Sequence, residues 1–184
     1  MRNQQTTQPW IALRVRPRCE KRVGNLLRQR GYEELVPLHV CLRRWSDREK
    51  KVELPLFPGY VFCRLNLSAE APILTTPGVL HFVGIGRTPL PVYEHEISMI
   101  KAIIRTRAAA EPWPYLEAGD RVHIVSGPLL GLDGILVEHE GPRLVVSVSL
   151  LQRSVAVRVD PSWVIAKTPR IRPRSAGIAI ERTA

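Results

Sequence analysis

The sequence predicts an α+β protein that joins a basic N-terminal α/β sandwich, built on a central antiparallel sheet, to a small antiparallel β-barrel. Strand-like and helix-like patterns alternate before residue 107, whereas only short strands of period two follow residue 118. Residues 108–117 lie between them, contain Pro112 and Pro114 and show no periodicity, so we expect an interdomain linker there.

In the first half, β-forming side chains over residues 10–15 predict a strand, and Val23 and Leu27 recur at helical spacing before a Gly31 cap. Further strands are predicted over residues 35–45, 60–65 and 79–85, and an amphipathic helix is predicted over residues 94–107. Within the strand predicted over residues 35–45, Pro37 indicates a kink or an edge position. The charged residues 43–51 predict a loop or hairpin tip.

In the second half, Val155, Val157 and Val159 alternate with other side chains, which predicts the strands of a small closed barrel. The boundaries we expect are a disordered N-terminus over residues 1–8, a first domain over 9–107, a linker over 108–117, a second domain over 118–166 and a disordered basic tail over 167–184.

The net charge of +10 is unevenly distributed. Residues 1–106 have 17 Lys/Arg against 9 Asp/Glu, residues 107–166 have 5 against 7, and residues 167–184 have 5 against 1. A concentrated positive field is the usual mark of a nucleic-acid-binding surface, although a merely soluble basic surface is the alternative.

Catalytic and metal-binding patterns are missing from the sequence. Cys19, Cys41 and Cys63 are widely spaced, so we expect buried free thiols rather than disulfides or a zinc site. The five histidines are scattered, and no nucleophile elbow or phosphate-binding glycine loop occurs. We therefore expect no enzyme activity, metal or cofactor. The polar N-terminus and the lack of a long apolar run predict a cytoplasmic protein without a membrane span.

Residues 119–135, GDRVHIVSGPLLGLDGI, have the spacing of a strand–loop–strand unit. This segment resembles a KOW motif, which implies an SH3-like barrel. The motif positions are Gly119, Asp120, Val122, Gly127, Gly131 and Gly134.

The first half carries a second resemblance. LFPGYVF at residues 56–62, TPGVLHFVG at 76–84 and PLPV at 89–92 resemble the N-terminal domain of the NusG family in order and spacing, and Trp10 and Glu20 match its opening strand and first helix. Together the two resemblances cover residues 9–166. Residues 16–22 and 45–48 are closer in style to the specialised RfaH-like and polysaccharide-operon antiterminators than to housekeeping NusG.

The resemblance implies a transcription elongation and antitermination factor that binds the clamp helices of the largest RNA polymerase subunit and bridges the cleft. Its apolar patch would include Phe57, Tyr60, Phe62, Phe82 and Ile85. Because strand alternation forbids all five from facing one side, we expect about half of them to be core. We expect Tyr60 to be the best anchor, since a phenol suits a half-exposed site.

The same resemblance places basic residues against the non-template DNA strand of the transcription bubble. These are Arg14, Arg16, Arg18, Lys21 and Arg22. The alternative is a solvated helix face. The charged residues 43–51 could reach upstream DNA or form a plain exposed hairpin.

The acidic second domain favours a protein partner over RNA. The family uses this domain to recruit a small-subunit ribosomal protein or termination factor Rho, and we expect a monomer. The alternative functions are a ribosomal or RNA-binding KOW protein and a structural adaptor. Residues 145–149 and 155–159 are dense in β-branched side chains, so we expect this domain to be a β-barrel at all times, free of the first domain, rather than the helical hairpin that RfaH stores.

Overall fold

The computed structural model describes residues 8–44, 49–65, 70–106, 109–115, 119–138 and 141–167. Its helices are α1 (Glu20–Gln29), α2 (Glu70–Leu74) and α3 (Glu94–Thr106). The strands of the first half are β1 (Trp10–Val15), β2 (Glu34–Leu35), β3 (Leu38–Arg44), β4 (Glu49–Pro55), β5 (Tyr60–Arg64), β6 (Val79–Phe82), β7 (Gly84–Ile85), β8 (Thr88–Pro89) and β9 (Pro91–Val92). Those of the second half are β10 (Ala110–Trp113), β11 (Asp120–Ile124), β12 (Asp133–Glu138), β13 (Pro142–Val148), β14 (Arg153–Arg158) and β15 (Val164–Ala166).

The N-terminal sheet is antiparallel and centred on β1, with the order β2–β5–β1–β6 and with β9 also paired to β1. Both faces of β1 are apolar because the strand lies between two layers. Ile11 and Leu13 share a buried cluster with Leu27 of α1. Trp10 on the opposite face shares a cluster with Ile100 of α3. The predicted α/β sandwich is therefore confirmed.

The strands β3 and β4 form a separate two-stranded ribbon, with Leu38 opposite Pro55 at its base. The strand predicted over residues 35–45 is interrupted at Pro37, as expected, and forms two separate strands, β2 and β3. Lys21 of α1 pairs with Glu53 of the ribbon at 2.8 Å between Nζ and Oε2. The tip, residues 45–48, lies outside the described residues.

The C-terminal sheet is antiparallel throughout, with the order β10–β14–β13–β12–β11–β15. Leu144, Val146 and Val148 of β13 all belong to the core cluster, as the expected period of two requires, while Val145 is buried on the opposite face of the strand. The described residues of 119–167 contain strands and two short 3₁₀ turns but no α-helix. This is the predicted β-barrel; its persistence under all conditions stays a prediction.

Residues 110–113 differ from the expectation. They lie within the segment predicted as linker, yet they form β10 and pair with β14 from Ala110 opposite Val157 to Trp113 opposite Ser154. Pro112 hid the strand, because proline normally argues against pairing. On an edge strand, however, alternate N–H groups face away from the ladder, so the missing donor costs little.

The two sheets share one cluster of buried apolar side chains, which also differs from the expectation of a free second domain. Trp10 of the first sheet, Ile100 of α3 and Leu129 of the barrel all belong to it. Glu96, at the start of α3, is buried, with an exposure of 3%. Its Oε1 accepts hydrogen bonds from the Ser149 N–H at 3.0 Å and the Ser149 hydroxyl at 2.9 Å. A helix of the first domain is thus bonded directly to the barrel.

The barrel's glycines allow a matched stability prediction. A Cβ at Gly134 would lie 2.6 Å from the Val145 carbonyl oxygen, whereas one at Gly131 would meet nothing within 4 Å and would only occupy a φ of +85°. We expect Gly134→Ala to cost the barrel about 3 kcal/mol through overpacking. Gly131→Ala should cost about 1 kcal/mol through backbone strain alone. Urea unfolding followed on barrel amide resonances measures both, and equal losses would contradict the packing described.

Candidate functional site

A tight turn delivers β5 from the ribbon to the N-terminal sheet. The Tyr60 N–H donates to the Phe57 carbonyl at 3.1 Å, and the Val15 N–H donates to the Gly59 carbonyl at 2.9 Å. Gly59 has a φ of +83°, and a Cβ there would lie 2.8 Å from Nη1 of Arg14. The backbone conformation therefore favours glycine here, and a Cβ would in addition require the end of the flexible Arg14 side chain to shift.

Glu20 fixes this turn from α1. Its carboxylate is buried, at 4% exposure, and Oε1 accepts the Gly59 N–H at 2.7 Å. A buried carboxylate is costly unless such bonds satisfy it, so the pair specifies one position of the turn relative to the helix. The sequence matched Glu20 to the first helix but gave it no role, since no local pattern links residues 39 positions apart.

Three polar side chains form a row across the central strands. The register places Arg14 of β1 opposite Tyr60 of β5 and opposite His81 of β6. The guanidinium carbon of Arg14 lies 4.7 Å from the Tyr60 ring centroid, a cation–π distance. Tyr60 and Arg14 are half-buried and His81 is exposed. The row therefore presents an aromatic edge and a positive charge together.

The five residues expected as an apolar patch do not form one surface. Phe57 and Phe62 are buried, with exposures of 1% and 0%, and their rings meet edge to face with centroids 5.6 Å apart. Phe82 lies opposite Leu13, in the cluster that α1 covers. Ile85 is exposed on β7. Tyr60 is half-buried, as its phenol suggested, and Phe57, Phe62 and Phe82 belong to the core.

The expected basic residues do come together, around the junction of β1 and α1. Arg16, Arg18, Lys21 and Arg22 are exposed, and we call these four the basic junction. The loop is fixed by the Arg16 N–H, which donates to the Gly78 carbonyl at 2.8 Å. Arg18 has a φ of +65°, an uncommon conformation for a residue other than glycine. Within the junction the carboxylate of Glu20 is buried, so the exposed side chains are all cationic, although Lys21 is paired with Glu53 of the ribbon.

Trp10, on the same sheet face as Arg14, is surrounded by charged groups that fasten α3. The Arg64 guanidinium and the Lys101 ammonium lie 4.9 and 4.5 Å from its ring centroid. Both cations also donate to Glu33 at 3.0 Å. Burial by itself raises the pKa of Glu33, but hydrogen bonds and attraction from Lys101 and Arg64 outweigh it and hold the pKa below its usual value. This network is structural, since it holds a helix rather than lining a cleft.

The residues of the predicted KOW motif have structural roles in the barrel. Gly119 directly precedes β11, Asp120 and Val122 lie in that strand, and Gly134 of β12 lies opposite Val122. Gly127 has a φ of +77°, and a Cβ there would lie 2.6 Å from the Trp163 ring. The Gly131 N–H closes the loop on the Ile124 carbonyl at 2.8 Å. These residues shape the barrel and its loop, and they bring no reactive groups together.

The thiols are free, as predicted. Cys63 is buried, and burial raises its pKa to about 12, with the charge of Glu34 adding to the effect. Cys19 and Cys41 are half-buried, which is less than expected. Among the described residues, no group of histidine, cysteine and acidic side chains could hold a metal ion. Likewise, no helix in the described part of the chain is long and apolar enough to cross a membrane.

Comparison with known proteins agrees with this architecture. The sequence profile of the family described as transcription termination factor NusG matches residues 8–101. The transcription termination/antitermination protein NusG of Campylobacter jejuni is 30% identical over 167 residues, which cover 84% of this chain and 94% of that protein. Its counterpart in Thermus thermophilus is 27% identical over 166 residues, which cover 83% of this chain and 90% of that protein.

A solved structure shows a similar fold. The structure described as "Domain interaction in Thermotoga maritima NusG" superposes with a TM-score of 0.51, at 22% identity, and the match covers 87% of this chain and 97% of that one. The family profile spans more than half of the chain, and the 30% identical relative spans most of it. The chain belongs to the NusG family.

Proposed function

We propose that this protein is a transcription elongation and antitermination factor that binds the clamp helices of the largest RNA polymerase subunit through its N-terminal domain. Family membership supports the general role, because its curated relatives are named transcription termination/antitermination proteins. The observation that carries the proposal is the Tyr60–Arg14–His81 row, a half-buried aromatic anchor flanked by positive charge.

Tyr60 is suited to be the anchor of such an interface. Aromatic side chains that are already ordered bind with little loss of conformational entropy, and they dominate the energetics of protein interfaces. Arg14 stacks on the ring, and the bond from Gly59 to Glu20 fixes the turn before it. Tyr60 therefore meets its partner in a preorganised position, with Pro58 and His81 exposed beside it.

The mechanism requires no bond chemistry. A factor that binds only the closed clamp, bridging the main cleft, shifts the clamp equilibrium toward that state by its differential affinity. Since pausing and termination involve opening or rearrangement of the closed complex, the bound factor suppresses them.

The basic junction supplies the contact with the non-template DNA strand. Its four exposed cations lie within seven residues of the chain, beside the half-buried pair of Arg14 and Tyr60. Arginine and lysine track a phosphate backbone, and an adjacent aromatic ring can stack on a base. The barrel in turn is proposed to recruit a protein, either a small-subunit ribosomal protein or Rho, because residues 107–166 are net acidic.

The aromatic anchor is tested by Tyr60→Ala, with Tyr93→Ala as the matched control, because Tyr93 is an exposed tyrosine elsewhere in the same domain. We expect Tyr60→Ala to weaken binding to isolated polymerase clamp helices by about 30-fold, the loss of a hot spot worth about 2 kcal/mol. Tyr93→Ala should bind like the wild type. Titration calorimetry measures both, and a thermal melt verifies folding. A folded Tyr60→Ala variant with wild-type affinity would refute the anchor.

The nucleic-acid surface is tested by reversing two charges of the basic junction, Arg16→Glu with Arg22→Glu. We expect lower crosslinking to non-template DNA in a reconstituted elongation complex, with clamp-helix affinity unchanged. Binding to single-stranded DNA should lose about 1.4 from the slope of log affinity against log salt, the contribution of two phosphate contacts.

Reversal of Arg121 and Arg153, exposed arginines of the barrel, provides the control with the same change in net charge. If this pair lowered crosslinking as much as the junction pair, the effect would be one of total charge and the basic junction would not be the DNA site.

A further inference from the structure

The C-terminal sheet contains a strand that the chain supplies from the segment between its domains. Five strands, β11 to β15, follow residue 119, and β10 is added to them along the outer edge of β14. The pairing runs over four positions, with Glu111 opposite Ala156 and Trp113 opposite Ser154. The ladder is short, and one of its four residues, Pro112, has no N–H to donate.

Side chains on one face of the sheet secure β10. Since residues two apart share a face, Glu111 and Trp113 lie on the same side, together with Ala156 and Ser154 of β14. Arg143 of β13 lies on that side too, because it shares the face of Val145, which pairs with Ala156. Arg143 crosses the small side chain of Ala156 to form an ion pair with Glu111.

The guanidinium also lies over the Trp113 ring, at 5.5 Å from its centroid. The Arg143 side chain is only 6% exposed, while the Glu111 side chain is 45% exposed. A buried guanidinium is destabilising without a counter-charge, so a carboxylate at the position of Glu111 stabilises this edge. The carboxylate of Glu111 is itself accessible and belongs to a short strand.

The opposite face of β10 adds an apolar requirement. Ala110 is 7% exposed and joins the core cluster that contains Val155 and Val157 of β14. The β14 edge therefore accepts an extended backbone with a small apolar residue, then a carboxylate, and then an aromatic ring two residues after the carboxylate.

We propose that the β14 edge with Arg143 is a docking site for an extended segment of a partner protein that carries a carboxylate and, two residues later, an aromatic side chain. In this protein β10 is the resident occupant, and the partner displaces it by strand addition. The site lies on the barrel and uses none of the residues assigned to polymerase or DNA. It rests on the proposed recruitment of a protein by the barrel, and its failure would leave the tests of Tyr60 and of the basic junction unaffected.

The test uses the full chain and a fluorescent peptide of its own residues 109–115, Ala-Ala-Glu-Pro-Trp-Pro-Tyr. In the double variant Glu111→Ala, Trp113→Ala the internal strand loses both side-chain contacts with Arg143. We expect the peptide to bind this variant at least tenfold more tightly than the wild type, as measured by fluorescence anisotropy. Amide spectra of the barrel verify that the variant is folded.

Specificity is tested with matched controls. A peptide with alanine in place of its Glu and Trp should bind at least tenfold more weakly to the double variant. Adding Arg143→Met to the double variant should abolish the preference for the acidic peptide, whereas adding Arg121→Met, an exposed arginine of β11, should leave it intact. Equal binding to wild type and double variant, or a preference that survives Arg143→Met, would overturn the proposal.

A second measurement avoids variants altogether. A peptide with Phe in place of Trp is added to the wild-type protein, and the indole resonance of Trp113 is followed. Displacement of β10 shifts this resonance progressively with peptide concentration. A resonance that stays fixed up to millimolar peptide would overturn the displacement.

Discussion

The apolar side of α3, with the buried carboxylate of Glu96 at its start, is the contact on which the arrangement of the whole chain depends. The helix covers one face of the N-terminal sheet through Ile97 and Ile100, and Glu96 bonds both the backbone and the hydroxyl of Ser149 in the barrel. One buried cluster therefore serves two sheets. Phe57 and Phe62 belong to it, which explains why these two phenylalanines of the family motif are buried while Tyr60 between them is only half-buried.

Burial on both faces of β1 then determines where a functional surface can emerge. Trp10 and Ala12 lie under α3, while Ile11, Leu13 and Val15 lie against α1. Arg14, near the end of the strand, is the position that escapes full burial, and it does so beside Tyr60. The polar row and the basic junction are thus products of the same packing, and the bond from Gly59 to Glu20 fixes their relative position.

The strands around Trp10–Val15 and Tyr60–Arg64, the helix α3 and the barrel could be predicted from periodicity, because each pattern is local. The motif residues also indicated the family. Glu20 and Glu96 could not be assigned, since each carboxylate bonds a group that is distant in sequence. β10 was missed because its proline is tolerated only at an edge, and no local signal distinguishes an edge strand from a linker. The specialised, RfaH-like role stays a prediction.

The joining of the two domains is tested most directly by hydrogen exchange at the Ser149 amide. In the structure this N–H donates to the buried Glu96 carboxylate, so it should be protected in the wild type and lose that protection in Glu96→Ala, while the Val146 amide inside the barrel keeps its own. A Ser149 amide that exchanges equally fast in both proteins would show that the helix and the barrel are not held together, and would contradict the account.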